Sequence, residues 1–240
     1  MDSSNITEQN IPFQWYSRVM RNTQAPLDGR RRQAARNDVE ILDAARAVFL
    51  ADPAAPVSAV AARAKVGISA LYRRYPSKED LLRELARDGL ARYAAELEAA
   101  LADDRDPWTA YTDCLTRILE GGSQALAQRL AGTFTPMPDL AELAQRASGL
   151  AAKVHRKAQR HQALRKDVSP GDVVLLLEML STVTLPGGDG GHALRRRYLA
   201  LLLQALHAPG SGPLPGRAAG QDETAARWRS RAEHDSQPAS

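Results

Sequence analysis

The sequence predicts an all-α protein of about nine helices, arranged as a three-helix N-terminal domain followed by a larger helical body. Three observations carry that expectation. Apolar residues recur at spacings of three and four from about residue 30 to residue 207, and no stretch alternates as a strand would. Alanine and leucine dominate while aromatics make up only 5% of the chain, which favours helix over sheet on propensity. Prolines and capping residues then cut the pattern into helix-sized pieces.

The elements follow in order. Residues 1–29 show no sustained period and are expected to form a disordered extension, with Phe13, Trp15 and Tyr16 unusual in so polar a stretch. In "RRRQAARNDVEILDAARAVFLAD", Val39, Leu42, Ala45, Val48 and Phe49 share one face of a first helix. Pro53 and Pro56 end it. A short second helix follows with Val57, Val60, Ala61 and Ala64 on its apolar side, and a short third helix runs from about Ile68 to Tyr75, where Pro76 forces the preceding residue out of the α region. Ser77 with Asp80 three residues on resembles a capping box for a helix carrying Leu81, Leu82, Leu85, Leu90, Tyr93 and Leu97. Asp106 and Pro107 are an N-cap and N1 pair for the helix through Trp108, Tyr111, Leu115, Ile118 and Leu119. After a break at "GTFTPMP", a long helix spans about Asp139 to Leu164. Ser169 and Pro170 cap "VVLLLEMLSTVTL", and after a Gly-rich turn a last helix runs from about His192 to His207. Residues 208–240, rich in Gly, Pro, Ser and charge, are expected to be a disordered tail.

Composition narrows the function classes. The chain is 44% hydrophobic and 25% charged, with a net charge of +4 that permits a polyanionic partner. A single cysteine, Cys114, forbids an internal disulfide and fits a reducing compartment, so the expected location is the cytoplasm. No apolar run has the length of a bilayer span, and "MDSSNITEQN" lacks the basic and apolar regions of a signal peptide. There is no Gly-rich phosphate loop, nucleophile elbow or metal-ligand spacing, so neither catalytic residues nor a cofactor is expected. His155 and His161, six residues apart, do not share a helix face and make a poor metal pair.

The two short helices carry the most specific signal. In "VSAVAARAKVGISALYRRYP", a small Ala61 lets the helices approach, Val66 plugs the turn and Leu71 faces the core. This is the layout of a helix-turn-helix, spanning about 57–76. Gly67, Ile68, Ser69, Ala70, Tyr72 and Arg73 are left on the exposed face or leading end of the second helix. Charge agrees: no acidic residue lies between Asp52 and Glu79, while Arg63, Lys65, Arg73, Arg74 and Lys78 are all basic. A solvated helix mixes signs; a single-sign segment suits a phosphate backbone.

The run Ile41-Leu42-x-Ala44-Ala45-x-x-Val48-Phe49, through Val60-Ala61-x-x-Ala64-x-Val66, to Leu71-Tyr72-x-x-Tyr75-Pro76-x-Lys78-x-x-Leu81-Leu82 resembles the TetR family of bacterial transcription regulators. The resemblance covers about residues 32–85 and implies a DNA-binding domain at 30–85 and a helical effector-binding and dimerisation domain at 86–207. It implies that Tyr72 and Arg73 meet phosphate or groove atoms, that Ile68, Ser69 and Ala70 sit nearest base edges, and that Lys78 holds a phosphate at the start of the fourth helix. Arg30, Arg31 and Arg32 would form an arm toward the adjacent groove or backbone. The chain departs from the family pattern at Lys65, where glycine is usual, and at Ala70, where threonine is usual. A left-handed Lys65 would cost roughly 1 kcal/mol.

In the body, Trp108, Tyr111, Cys114, Phe134, Met137 and Met179 are large or soft side chains that are candidates to line a pocket for a small, mostly apolar effector, or simply to pack a core. "RASGLAAKVHRKAQRHQALRK" carries seven basic residues and no acid, as a solvated face would. The helices "VVLLLEMLSTVTL" and "ALRRRYLALLLQALH" are more apolar than a surface helix requires. Pairing with their copies would make a homodimer on a near-palindromic operator, the expected activity being ligand-responsive repression. A helical interaction protein that has lost its DNA contacts would share the fold but show no salt-dependent binding to DNA.

Overall fold

The protein is described from a computed structural model covering residues 38–122, 126, 138–183, 189–208 and 212–220. Among these residues there are eight helices and no strands: α1 (38–51), α2 (Val57–Arg63), α3 (Ile68–Arg74), α4 (Lys78–Ala102), α5 (Pro107–Glu120), α6 (Pro138–Arg160), α7 (Pro170–Thr182) and α8 (Asp189–Leu206).

The helix boundaries follow local chemistry. Tyr75 closes α3 in an extended conformation (φ −124°, ψ 94°), as the residue before Pro76 must. The Ser77 hydroxyl oxygen accepts the Asp80 N–H at 3.0 Å and so caps α4. Asp106 caps α5 through the Thr109 N–H at 2.9 Å, with Pro107 at N1. Ser169 and Asp172 form a reciprocal capping box on α7. Two helix ends lack the usual glycine. After α2, Lys65 has φ 56°, with the Val66 N–H on the Ala61 carbonyl at 3.0 Å; after α6, Gln162 has φ 55°, with the Ala163 N–H on the Ala158 carbonyl at 3.0 Å. Both are the left-handed closure that glycine adopts most easily.

Two separate hydrophobic cores form. The first packs Phe49 and Ala45 of α1, Val60 and Ala61 of α2, Leu71 of α3 and Leu81, Leu82 and Leu85 of α4, with Tyr75 and Leu126. The second packs Leu97 and Ala100 of α4 with Tyr111, Cys114, Leu115 and Ile118 of α5, Val154 of α6, Leu177 of α7 and Leu199 and Leu203 of α8. The unbroken α4 therefore joins head to body, and the boundary expected at 85/86 falls inside it. On its flanks Arg46 of α1 pairs with Asp88, Arg87 with Asp139 of α6, and Arg146 of α6 with Glu98 at 2.6 Å.

Residues 212–220, part of the segment expected to be a disordered tail, lie against the α6–α7 corner. The Leu214 N–H donates to Asp167 at 3.1 Å, the Ala219 N–H to Asp172 at 2.9 Å, and Arg165 to the Gly212 carbonyl at 2.5 Å. A composition of Gly and Pro signals absence of helix, but specific carboxylates order the backbone here. The last helix also starts earlier than expected, taking in Asp189, Gly190 and Gly191 of the Gly-rich segment.

Candidate nucleic-acid interface

The α2–α3 unit is built around two fully buried residues, Leu71 and Val60, with Ala61 beside them and Val66 partly buried in the turn. Leu71 fixes the roll of α3, because side chains one residue on point outward. Tyr75 therefore enters the core at 7% exposure, four residues after Leu71 on the same face, whereas Tyr72 stands out at 46%. Burial raises the Tyr75 phenol above its usual range, with the Arg74 guanidinium working against that.

Gly67, Ile68, Ser69, Ala70, Tyr72 and Arg73 are all exposed and form one continuous face along α3. Among the described residues, Arg63, Lys65 and Arg73 have no acidic partner, whereas Arg74 pairs with Asp38 of α1. Lys78 is the residue for which a phosphate contact at the start of α4 is expected. Its ammonium turns inward, donating to the carbonyls of Ala55 at 2.9 Å and Pro53 at 3.2 Å, 5.2 Å from the Phe49 ring centroid. It ties the α1–α2 loop to the start of α4. Arg31 and Arg32 lie outside the described residues.

Of the body residues singled out from sequence, those among the described residues fall in two places. Trp108 stacks on Tyr111 with ring centroids 6.0 Å apart and meets His207 edge-on at 4.6 Å. Cys114, one turn along α5, is fully buried, and burial pushes its thiol up to about 12. Met179 is instead 57% exposed, in a shallow apolar groove lined by Leu176, Leu180 and Val183 of α7 and Tyr198, Leu201 and Leu202 of α8. Phe134 and Met137 lie outside the described residues.

Sequence reasoning passed over His155, weighing it only as a metal ligand. It is buried, its Nε2 2.8 Å from the Val168 carbonyl and its Nδ1 3.2 Å from the Tyr111 hydroxyl. A carbonyl only accepts, so Nε2 carries the proton and Nδ1 accepts from Tyr111. The signal was available: Ala147, Ala151, Val154 and Ala158 mark the inner stripe of α6, and His155 lies on its edge. Among the described residues no group of three or more His, Cys, Asp and Glu side chains is placed to hold a metal, and no helix is long and apolar enough to cross a membrane.

A helix-turn-helix with an exposed, cation-bearing second helix, mounted on a helical body, is the architecture of a protein that reads duplex DNA. Residues 41–85 match the family model for bacterial regulatory proteins of the tetR family. The HTH-type transcriptional repressor LfrR of Mycolicibacterium smegmatis is 40% identical over 81 residues, which are 33% of this chain and 40% of that protein. Among solved structures, the TetR-like transcriptional regulator LfrR from Mycobacterium smegmatis in complex with proflavine has the same fold, with a TM-score of 0.56 at 24% identity over 75% of this chain and 99% of that one. A TetR transcription regulatory protein from Mycobacterium vanbaalenii gives 0.54 at 22% identity over 74% and 99%. Residues 41–85 therefore match the DNA-binding domain of the tetR family, and about three quarters of the chain shares the fold of TetR-type regulators.

Proposed function

We propose that the protein is a ligand-responsive transcriptional repressor that binds a near-palindromic operator as a homodimer. The observation that carries this reading is the exposed face of α3, where Arg73 and Tyr72 stand free beside Arg63 and Lys65. Tyr72 and Arg73 contact phosphate or groove atoms, and Ile68, Ser69 and Ala70 approach base edges. None of these three makes a bidentate pair with guanine, so direct readout is sparse and DNA shape contributes to specificity. Lys78 acts at one remove, by bracing the 53–55 loop. Arg31 and Arg32 supply an arm to the neighbouring backbone.

The apolar groove between α7 and α8 receives the same groove of a second copy, forming a four-helix interface. Exposed Met179, Val183, Tyr198 and Leu201 favour this, because so many large apolar side chains on one face are costly in water. Two-fold symmetry then sets half-sites about one helical turn, roughly 34 Å, or a multiple apart. An effector enters the body near Trp108 and Tyr111; the relative crystallised with proflavine supports a small-molecule ligand in this fold. Because α4 contributes to both cores, a shift at Leu97 and Ala100 is carried to Leu81, Leu82 and Leu85, changing the separation of the two reading heads.

The test is selection of bound fragments from the organism's own genomic DNA by purified protein at controlled salt. Enrichment of a near-palindrome whose binding weakens steeply with salt is expected, and absence of any enriched motif overturns the reading. Tyr72→Ala and Arg73→Ala should each weaken binding without moving the melting temperature.

A further inference from the structure

Lys65 occupies a backbone position that its side chain does not favour. The end of α2 is closed by the Lys65 N–H on the Ala62 carbonyl at 3.2 Å and the Val66 N–H on the Ala61 carbonyl at 3.0 Å. That closure requires the left-handed conformation recorded at Lys65, φ 56°. Glycine adopts it freely and asparagine with little penalty, whereas an unbranched cationic side chain gains nothing from it.

Nothing in the fold explains the choice. The Lys65 side chain is exposed and has no hydrogen bond or ion pair among the described residues. The neighbouring Arg63 is likewise exposed without an acidic partner, and no acidic residue occurs from 53 to 78. Two residues beyond Lys65, Gly67 opens the face that runs through Ile68, Ser69, Ala70, Tyr72 and Arg73. The left-handed closure therefore holds a single cation at the leading end of α3, on a turn pinned by two backbone hydrogen bonds and by Val66 in the first core.

We propose that Lys65 is a phosphate-contacting residue of the DNA interface, reaching the backbone beside the groove that α3 enters. The unfavourable backbone geometry is retained because it presents the charge. This inference rests on the DNA-binding reading above, and it assigns to the turn a role separate from that of Tyr72 and Arg73. Losing one phosphate contact reduces the slope of log K against log salt by about 1 and weakens binding about five- to tenfold near 0.1 M salt.

The experiment titrates a fluorescent mixed-sequence 40-bp duplex, and a duplex recovered from the genomic selection, with the full chain and four variants, three at Lys65 and Arg73→Ala, over a salt series. Lys65→Gly removes charge and strain together; it should bind more weakly with the reduced slope, yet melt about 2 °C higher. Lys65→Gln removes the charge and keeps the strain, so it should show the same reduced slope without the gain in melting temperature. Lys65→Arg should retain the parental slope. A Lys65→Gln variant with parental affinity and slope, while Arg73→Ala is weakened, overturns this inference and leaves the DNA-binding reading standing. A parent that binds neither duplex overturns both.

Discussion

Gly171 of α7 lies directly beneath the backbone carbonyl of Ala219: a Cβ on Gly171 would stand 2.4 Å from that oxygen. The Ser169 hydroxyl donates to the same carbonyl at 2.7 Å, and the Ala219 N–H donates to Asp172 at 2.9 Å, so the segment 212–220 is seated on the first turn of α7 at bonding distance.

Gly171→Ala should unseat this segment. The expected cost is about 1–3 kcal/mol, the range for steric overpacking, with faster amide exchange at 214–220. In a chain ending at residue 211 the same substitution should be neutral or mildly stabilising, since alanine is the better helix former by about 1 kcal/mol. Urea melts of the four chains check it. An equal loss in both backgrounds would rule out the contact with Ala219 as the cause.

His155 should give the protein a stability limb at mildly acidic pH. Burial lowers its pKa from the ordinary 6.5, opposed by the Val168 carbonyl bond and the Asp172 charge and reinforced by Arg156. A histidine depressed in the folded state stays neutral there while the unfolded chain takes up a proton. Its contribution is therefore whole above about pH 6.5 and declines as the pH falls below it. His155→Gln should flatten this limb in denaturation midpoints followed from pH 8 to 5. Tyr111→Phe leaves the buried Nδ1 lone pair without a donor and should cost about 1–3 kcal/mol at neutral pH.

Lys157 closes the C-terminus of α4 from a neighbouring helix, donating to the carbonyls of Ala100 at 3.4 Å, Leu101 at 3.0 Å and Asp103 at 2.7 Å. These are carbonyls that no further turn of helix can satisfy. Lys157→Met keeps the aliphatic stem and should lower stability by about 1–2 kcal/mol, read as a shifted urea midpoint at constant m.

The same corner responds to acid. Hydrogen bonds from the Arg105 side chain and backbone hold the Asp103 carboxyl at about 2, against an ordinary 3.8, with Lys157 adding to the effect. The folded value is depressed, so the stabilisation is present above about pH 4 and is lost as the pH falls from there toward 2. Asp103→Asn should remove that part of the acid limb, visible in midpoints between pH 4.5 and 2.5.

Lys78→Met separates bracing from phosphate contact. If Lys78 works by holding Pro53 and Ala55, the variant should loosen residues 52–57 in amide exchange and lower head stability, while the salt slope for DNA stays parental. A reduced slope with unchanged exchange would instead support the phosphate role.

Local rules made much of the fold legible. Proline positions and side-chain caps placed the starts of α4, α5 and α7 within a residue, because those signals act over three or four positions and need no partner. The exposed face of α3 was legible for a related reason: once Leu71 is assigned to the core, helical geometry decides the rest. Lys65 was expected to be strained if left-handed, and its φ of 56° bears that out. Gln162, which does the same at the end of α6, gave no such signal, since neither glycine nor asparagine marks the spot.

What the sequence by itself determined is the set of elements with their caps and stops, the helix-turn-helix and its cation-bearing face, because periodicity and capping are properties of neighbouring residues. Only the tertiary structure decided where individual polar groups went. Lys78 turned to two loop carbonyls, His155 to Tyr111 and Val168, and the Gly- and Pro-rich segment to Asp167 and Asp172. Each partner lies between 13 and 47 residues away, and a hydrogen bond at that separation exists only after packing has brought donor and acceptor within about 3 Å. The parting of Met179 from Trp108 and Tyr111 has the same origin. All three are apolar in the sequence, and only the roll of α7 against α8 turned one outward into the groove while α5 kept the others in the second core.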